Sequence, residues 1–155
     1  MDKPTKKYKL DRGKYPTAAI ITDACPEGLG AVLLINNKVI RAYSSPVTQE
    51  DARALDFELG NSSSQGIVET LAVVVALKHW AKELSMCSLT LQVQSDSLVA
   101  LAMTQKMSMK ATHIPGSANT TADYLSRPSK HKAVAMPQEL PGVPIQQPKD
   151  RTAGY

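Results

Sequence analysis

The chain of 155 residues has the length of one domain with extensions, because domains commonly contain roughly 100–200 residues. Its 43% hydrophobic and 21% charged residues are typical of a globular protein, and no apolar run approaches the ~20 residues of a membrane-spanning helix, which excludes a membrane-spanning protein. The net charge of +4 suits a polyanionic partner, but a solvated basic tail explains the charges crowded into the first fourteen residues equally well.

The start of the sequence and its cysteines indicate the compartment. The basic N-terminal stretch is not followed by an apolar core with a cleavage site, so we expect an intracellular protein, cytoplasmic or nuclear, that is not secreted. Cys25 and Cys87 form no Cys-x-x-Cys motif, and the three histidines are scattered, so nothing in the sequence indicates structural zinc. Reduced thiols are expected in this compartment.

The first elements of the chain predict three antiparallel strands. Residues 18–22, AAIIT, form a continuous apolar run that is typical of a buried central strand and that ends at Asp23. GAVLLI, the turn residues Asn36 and Asn37, and KVIRAYS then predict a hairpin of two more strands. Residues 46–66 are polar and predict an irregular connection.

The next elements predict helices that alternate with strands. Apolar residues recur at helical spacing from Ile67 to Leu84, which is too long for a strand, so we expect one long helix. Alternating apolar and polar residues around Leu91 and Val93 predict a half-buried strand that ends just before Asp96. The remaining segments predict, in order, a second helix (SLVALAMTQKM), a short strand (ATHI), a loop (PGSAN) and a last short helix (TTADYLSR) that Pro128 ends.

Composition divides the chain into three regions. We expect a basic tail over residues 1–13, one domain over 14–128 and a proline-rich, disordered tail over 129–155. Neither tail is expected to share a core with the domain, so removal of both should leave thermal stability nearly unchanged.

Four acids lie at the ends of the predicted elements: Asp23, Glu69, Asp96 and Asp123. Taken singly, three of them have structural explanations, because Asp23 suits a turn, Asp96 can cap a helix and Asp123 suits a first helical turn. Glu69 is harder to explain, since it lies on the apolar part of the long helix.

The order of the elements brings these acids together. Three strands, a helix, a strand and further helices form an α+β pattern in which the first and fourth strands can pair in parallel. Their ends then meet, with Glu69 approaching from the long helix and Asp123 from the last one. Carboxylates held together repel one another unless cations neutralise them, and Mg²⁺ prefers oxygen ligands of this kind, so the pattern predicts a metal site.

Four stretches resemble, in order, the successive motifs of the ribonuclease H domain of retroelement (retrotransposon) reverse transcriptase polyproteins. They are TDACPEGLGAVL, VETLAVVVALKHW, QVQSDSLVALA and HIPGSANTTADYLSR, and the last is most like the long-terminal-repeat type. The resemblance covers about residues 16 to 128. It implies a ribonuclease H-like fold, with a mixed five-stranded sheet of three antiparallel and then parallel strands, flanked by helices.

The resemblance also implies an activity and a site. Members of this family are endonucleases that hydrolyse the RNA strand of RNA/DNA hybrids with two Mg²⁺ ions, for which Mn²⁺ can substitute. The metal ligands and catalytic residues would be Asp23, Glu69, Asp96 and Asp123. Partners would be the hybrid and neighbouring reverse transcriptase modules of a polyprotein, with no membrane partner. Contacts to the substrate would come from Cys25, Gly28, Gly30, Gln65, Ser97 and Asn119, although the two glycines suit a tight turn equally well.

The sequence departs from the family pattern before its last strand. Only a few residues separate Met107 from His113, where the family carries a further helix, and Ser117 or Asn119 occupies the loop in which many members place a histidine. An alternative is therefore a shortened, catalytically inert remnant that acts as a nucleic-acid-binding or structural module. A transposase or integrase would present three acids in another order, and an aspartic protease would need a glycine after Asp23.

Overall fold

The computed structural model describes residues 18–85, 91–95, 110–113, 119–128 and 135–148. Its first three strands are β1 (Ala18–Cys25), β2 (Gly28–Ile35) and β3 (Lys38–Pro46), and each is antiparallel to the next. Asn36 and Asn37 have φ angles of 49° and 63°, the left-handed pair of a type I′ hairpin turn. The predicted antiparallel start and its turn are confirmed.

The connection after β3 is more regular than its polar sequence predicted. Residues 46–66 contain helix α1 (Gln49–Leu55) and a short 3₁₀ helix (Ser62–Ser64), so the expectation of an irregular connection is wrong there. Thr48 forms a capping box with Asp51, in which each side chain binds the other residue's backbone N–H at 3.2 and 2.9 Å. This local capping stabilises a helix that hydrophobic periodicity does not reveal.

The predicted long helix is interrupted. Helix α2 (Gln65–His79) is followed by α3 (Ala81–Ser85), and Trp80 lies between them with non-helical backbone angles. The buried face of α2 excludes Ile67, the first residue of the predicted apolar pattern, since Ile67 is 40% exposed and Val68 is 2% exposed. The stretch LAVVVAL is apolar on all sides of the helix, so the sequence does not indicate which side is buried. Packing against the sheet determines it.

Three further strands are β4 (Leu91–Ser95), β5 (Lys110–His113) and β6 (Ile145–Gln146), and the described residues form a mixed sheet of six strands in the order β5-β4-β1-β2-β3-β6. Strands β4 and β5 continue in parallel from β1, as the sequence predicted. Helix α4 (Thr120–Ser126) ends before Pro128 as expected, and β6 was not predicted. The predicted helix over 97–107 and the basic tail over 1–13 lie outside the described residues.

Two helices cover the two faces of the central strands. Helix α2 packs on one face, where the core contains Ile20, Leu29, Leu33, Tyr43, Leu71, Val75 and Trp80. Helix α4 packs on the other, where a smaller core contains Val32, Ala42, Tyr124, Leu125 and Leu140. In the part of the chain that is described, no helix combines the length and apolar character needed to cross a bilayer.

The proline-rich segment after the domain packs against it. Leu140 is 1% exposed within the core under α4, and β6 pairs in parallel with Ala42 and Tyr43 of β3. Gln146 accepts a hydrogen bond from the indole of Trp80 at 3.0 Å. The expectation that residues 129–155 share no core with the domain is therefore wrong for residues 135–148. A proline-rich composition disfavours regular structure, but the burial of Leu140 and the pairing of β6 with the edge of the sheet hold the segment against the domain.

We expect Leu140→Ala to destabilise the protein by about 2 kcal/mol, because it removes a buried side chain and leaves a cavity beside α4. Urea unfolding measures this effect. Met136→Ala, at a 49% exposed side chain of the same segment, is the matched control and should change stability little. Equal stability of both variants and the parent would show that the segment does not contribute to the core.

Candidate active site

Asp23 lies inside the sheet and not just beyond its first strand. The predicted strand ended at this residue, but β1 continues to Cys25, and Asp23 pairs with Gly30 of β2. Its side chain is 7% exposed and accepts a hydrogen bond of 2.9 Å from the hydroxyl of Ser126 on α4. The carboxylate is thus buried with a donor from the last helix, the usual condition for a charge in such a place.

Helix α4 approaches the sheet closely because two facing residues have no side chain. A Cβ atom on Gly30 would lie 2.5 Å from the carbonyl oxygen of Ala122 and from the backbone nitrogen of Ser126. A Cβ on Gly28 would overlap the carbonyl oxygen of Ser126. The structure therefore gives Gly28 and Gly30 a packing role that the sequence did not indicate, and their contact with a substrate stays a prediction.

Two neighbouring polar side chains fasten the same helix. The thiol of Cys25 is buried and donates to the carbonyl oxygen of Ser126 at 3.2 Å. The hydroxyl of Ser44 on β3 donates to the carbonyl oxygen of Leu125. These contacts satisfy carbonyl groups in the last turn of α4, which have no partner within the helix. Contact of Cys25 with a substrate stays a prediction.

Asp123 lies on the exposed side of α4 and forms an ion pair. Its carboxylate is 2.8 Å from Nε of Arg127, and the side chains of Arg127 and Asp123 are 41% and 46% exposed. The hydrogen bond to Asp123 raises the pKa of Arg127 above its ordinary value, against the lowering effect of burial. The negative charges of Asp123 and Asp23 act in the same direction, so both acids lie within the electrostatic reach of one guanidinium group.

Glu69 is linked to the end of β1 through Gln65. The side-chain amide of Gln65 donates to the carbonyl oxygen of Ala24 at 2.6 Å and to the carboxylate of Glu69 at 3.1 Å. Ala24 follows Asp23, so this bond places the start of α2 at the same end of the strand. The expected approach of Glu69 from the long helix agrees with these contacts. Contact of Gln65 with a substrate stays a prediction.

The fourth acid lies outside the described residues. Strand β4 ends at Ser95, which pairs with Thr22 in the parallel register, one residue before Asp23. Asp96 and Ser97 follow and are not described, so their positions stay predictions. Convergence of all four acids therefore stays a prediction as well.

Asn119 links the last helix to the first strand. It is 2% exposed, and its amide donates to the carbonyl oxygen of Thr22 at 2.9 Å. The backbone carbonyl oxygen of Asn119 accepts a hydrogen bond from the backbone N–H of Asp123 at 3.0 Å, in the first turn of α4. Among the described residues, the side-chain oxygens of Asn119 and Thr22 have no hydrogen-bond partner. Asn119 therefore holds α4 beside β1, and its expected contact with a substrate stays a prediction.

The described acids do not by themselves form a metal centre. Within the described ranges, no three histidine, cysteine, aspartate or glutamate side chains lie close enough to hold an ion. The chemistry of the donors nevertheless fits Mg²⁺, because carboxylate oxygens are its preferred protein ligands. An ionised carboxylate offers about four lone-pair sites, so Asp23 can accept the hydroxyl of Ser126 and also coordinate a cation.

Sequence reasoning missed two residues of this site. Ser126 and Arg127 both belong to the LSR piece of the last motif, but neither was assigned a role. Ser126 is completely buried and contacts Asp23, whereas Arg127 is half-exposed and contacts Asp123. The sequence could have indicated both residues, because they follow Asp123 by three and four positions in a predicted helix, and residues at these spacings are neighbours.

No protein-family model matches the sequence, and no curated protein matches it. Among solved structures, the chain is similar to a ribonuclease H1 that was isolated from compost by a metagenomic approach. The TM-score is 0.52 at 16% sequence identity, and the match covers 77% of this chain and 99% of that one. The similarity shows the fold: the chain has a ribonuclease H-like fold, as the sequence predicted.

Proposed function

We propose that the protein is a metal-dependent endonuclease that hydrolyses the RNA strand of RNA/DNA hybrids, as part of a retroelement reverse transcriptase. One observation carries the proposal. In a ribonuclease H-like fold, the hydroxyl of Ser126 joins Asp23 of the central strand to the helix that carries Asp123. These are the first and last acids of the motif order that the sequence displays, and they lie on adjoining elements.

The four acids would hold the metal. Asp23 would contact both of two Mg²⁺ ions, Glu69 and Asp96 would complete one site, and Asp123 would complete the other, with Mn²⁺ as a substitute. When bound, such ions supply an activated water and stabilise the leaving oxygen in an in-line displacement at phosphorus. The products would carry a 5′-phosphate and a 3′-hydroxyl.

The residues around the acids prepare the site. Ser126 donates to the buried carboxylate of Asp23, which lowers the cost of keeping that group charged inside the sheet. Arg127 balances the charge of Asp123 and thereby lowers the repulsion between Asp123 and Asp23. Gln65 keeps Glu69 at the end of β1. The proposal requires that each of these contacts orients its acid toward the same end of β1.

The proposed substrate is recognised through its RNA strand. Discrimination would come from contacts to 2′-hydroxyl groups in the minor groove. Backbone groups between Cys25 and Gly30, together with Gln65, Ser97 and Asn119, are the proposed donors and acceptors. The net charge of +4 supports binding of a polyanion of this kind. Neighbouring reverse transcriptase modules of a polyprotein are proposed as further partners.

A second candidate is a catalytically inert remnant that binds nucleic acid or serves structure. One observation favours it, the short segment between Met107 and His113. This candidate predicts binding of the hybrid without cleavage.

A panel of end-labelled duplexes tests the proposal. In Mg²⁺, the purified chain should cut the RNA strand of an RNA/DNA hybrid and leave RNA/RNA and DNA/DNA duplexes of the same sequence intact. Product ends sensitive to phosphatase at the 5′ position identify the expected chemistry. A hybrid that is bound but not cut favours the inert remnant, and equal cutting of all three duplexes contradicts the proposed specificity.

A further inference from the structure

Ser126 occupies an unusual position between two acceptors. Its hydroxyl oxygen lies 2.9 Å from the carboxylate of Asp23 and 2.9 Å from the backbone carbonyl oxygen of Asp123. A hydroxyl group carries one hydrogen, so it can donate to only one of these acceptors at a time. Because the side chain is completely buried, water does not compete for the hydrogen.

The carboxylate is the stronger acceptor of the two. A hydrogen bond to an ionised group is roughly twice as strong as one between neutral groups, so the hydroxyl hydrogen belongs on Asp23. The carbonyl group of Asp123 is the alternative, because a helical serine commonly binds the carbonyl group three or four residues before it. With its hydrogen directed to Asp23, Ser126 links that carboxylate to α4, the helix that carries Asp123.

The backbone of Ser126 adds a second connection to the same strand. Its carbonyl oxygen accepts the thiol hydrogen of Cys25, two residues after Asp23 on the same face of β1. A displacement of α4 would therefore stretch both contacts together. Ser44 contacts the neighbouring residue Leu125 from β3, and among the described residues its hydroxyl binds no carboxylate.

We propose that Ser126 is a positioning residue: its hydroxyl group fixes the carboxylate of Asp23 against α4 and so sets the first acid of the site relative to the last. This inference rests on the proposed function, because fixing these carboxylates matters for hydrolysis only if they act in it. Groups that orient metal-binding or catalytic side chains from behind typically change activity 10–100-fold when they are removed.

The contact itself is measured without metal or substrate. Urea unfolding of the parent, Ser126→Ala, Asp23→Ala and the double variant should give a coupling of roughly tenfold in the unfolding equilibrium constant. The control cycle pairs Ser44→Ala with Asp23→Ala and should give no coupling. Ser44 binds Leu125 of the same helix, and strand β2 separates Ser44 from Asp23. Asp23→Leu, which also has no hydrogen-bond acceptor, replaces Asp23→Ala if the latter does not fold. Absence of coupling between Ser126 and Asp23 would overturn the inference.

The consequence for catalysis is measured on the full chain at saturating Mg²⁺. Ser126→Ala should lower kcat about tenfold with KM for the hybrid unchanged, whereas Ser63→Ala, at an exposed serine whose hydroxyl binds Asn61, should leave kcat unchanged. An unchanged kcat in Ser126→Ala would overturn the positioning role even if the coupling is found. If the parent itself does not cleave the hybrid, the proposed function fails, and the coupling measurement alone then decides whether Ser126 holds Asp23.

Discussion

Asp23→Asn is expected to lower the rate of hybrid cleavage at least about 10³-fold while the protein stays folded. Asn has the size of Asp but lacks the negative charge that two cations would share. Loss of several kcal/mol of transition-state stabilisation corresponds to this factor, since each 1.36 kcal/mol is about tenfold. The hydroxyl of Ser126 can still donate to the amide oxygen, so the packing of α4 against β1 is retained.

The fold of this variant should be as stable as that of the parent, or more stable, without metal. Removing a buried charge removes the cost of keeping that charge out of water, and it would also relieve the repulsion that the predicted convergence of the acids implies. Thermal unfolding followed by circular dichroism measures this. Asp56→Asn is the matched control, because Asp56 is exposed and has a φ angle of 51°, which Asn tolerates. An Asp23→Asn protein that keeps more than a tenth of the parent rate would contradict the assigned role.

Gly30→Ala is expected to cause the largest loss of stability, about 3 kcal/mol or more, or to prevent folding. The added methyl group would meet the carbonyl oxygen of Ala122 and the backbone nitrogen of Ser126 at 2.5 Å. These atoms belong to a helix backbone, which cannot rotate away as a side chain can, so α4 must move off the sheet. Such a movement would also separate Ser126 from Asp23.

Gly60→Ala is the comparison for this prediction. Gly60 has open space around its Cβ position but a φ angle of 74°, so the substitution costs only the left-handed strain, about 1–2 kcal/mol. Urea unfolding of both variants separates overlap with the helix from backbone strain. A Gly30→Ala protein as stable as the parent would show that α4 does not pack closely on β2.

The sheet could be predicted from the sequence because local signals are strong there. The apolar run before Asp23 and the paired asparagines at 36 and 37 each allow few alternatives. The capped helix α1 was not predicted because capping residues also occur in loops. The docking of Leu140 depends on contacts between residues far apart in the chain, which composition and periodicity do not report.

The candidate site was only partly predictable for the same reason. The positions of Asp23 and Asp123 follow from the order of elements and the spacing of motifs. Their connection through Ser126 depends on how closely α4 approaches β2, and that distance is set by Gly30. The sequence contains the glycine but does not show which helix lies opposite it. A glycine required by a turn therefore cannot be distinguished in the sequence from one required by close packing.

The rate of RNA-strand cleavage in a labelled RNA/DNA hybrid, measured with the purified chain in Mg²⁺ and again with a chelator in excess, tests the central claim most directly. The proposed function predicts cleavage that appears with Mg²⁺ and disappears with the chelator. A hybrid that stays intact across the whole Mg²⁺ titration, or that is cut equally well with the chelator present, would contradict it.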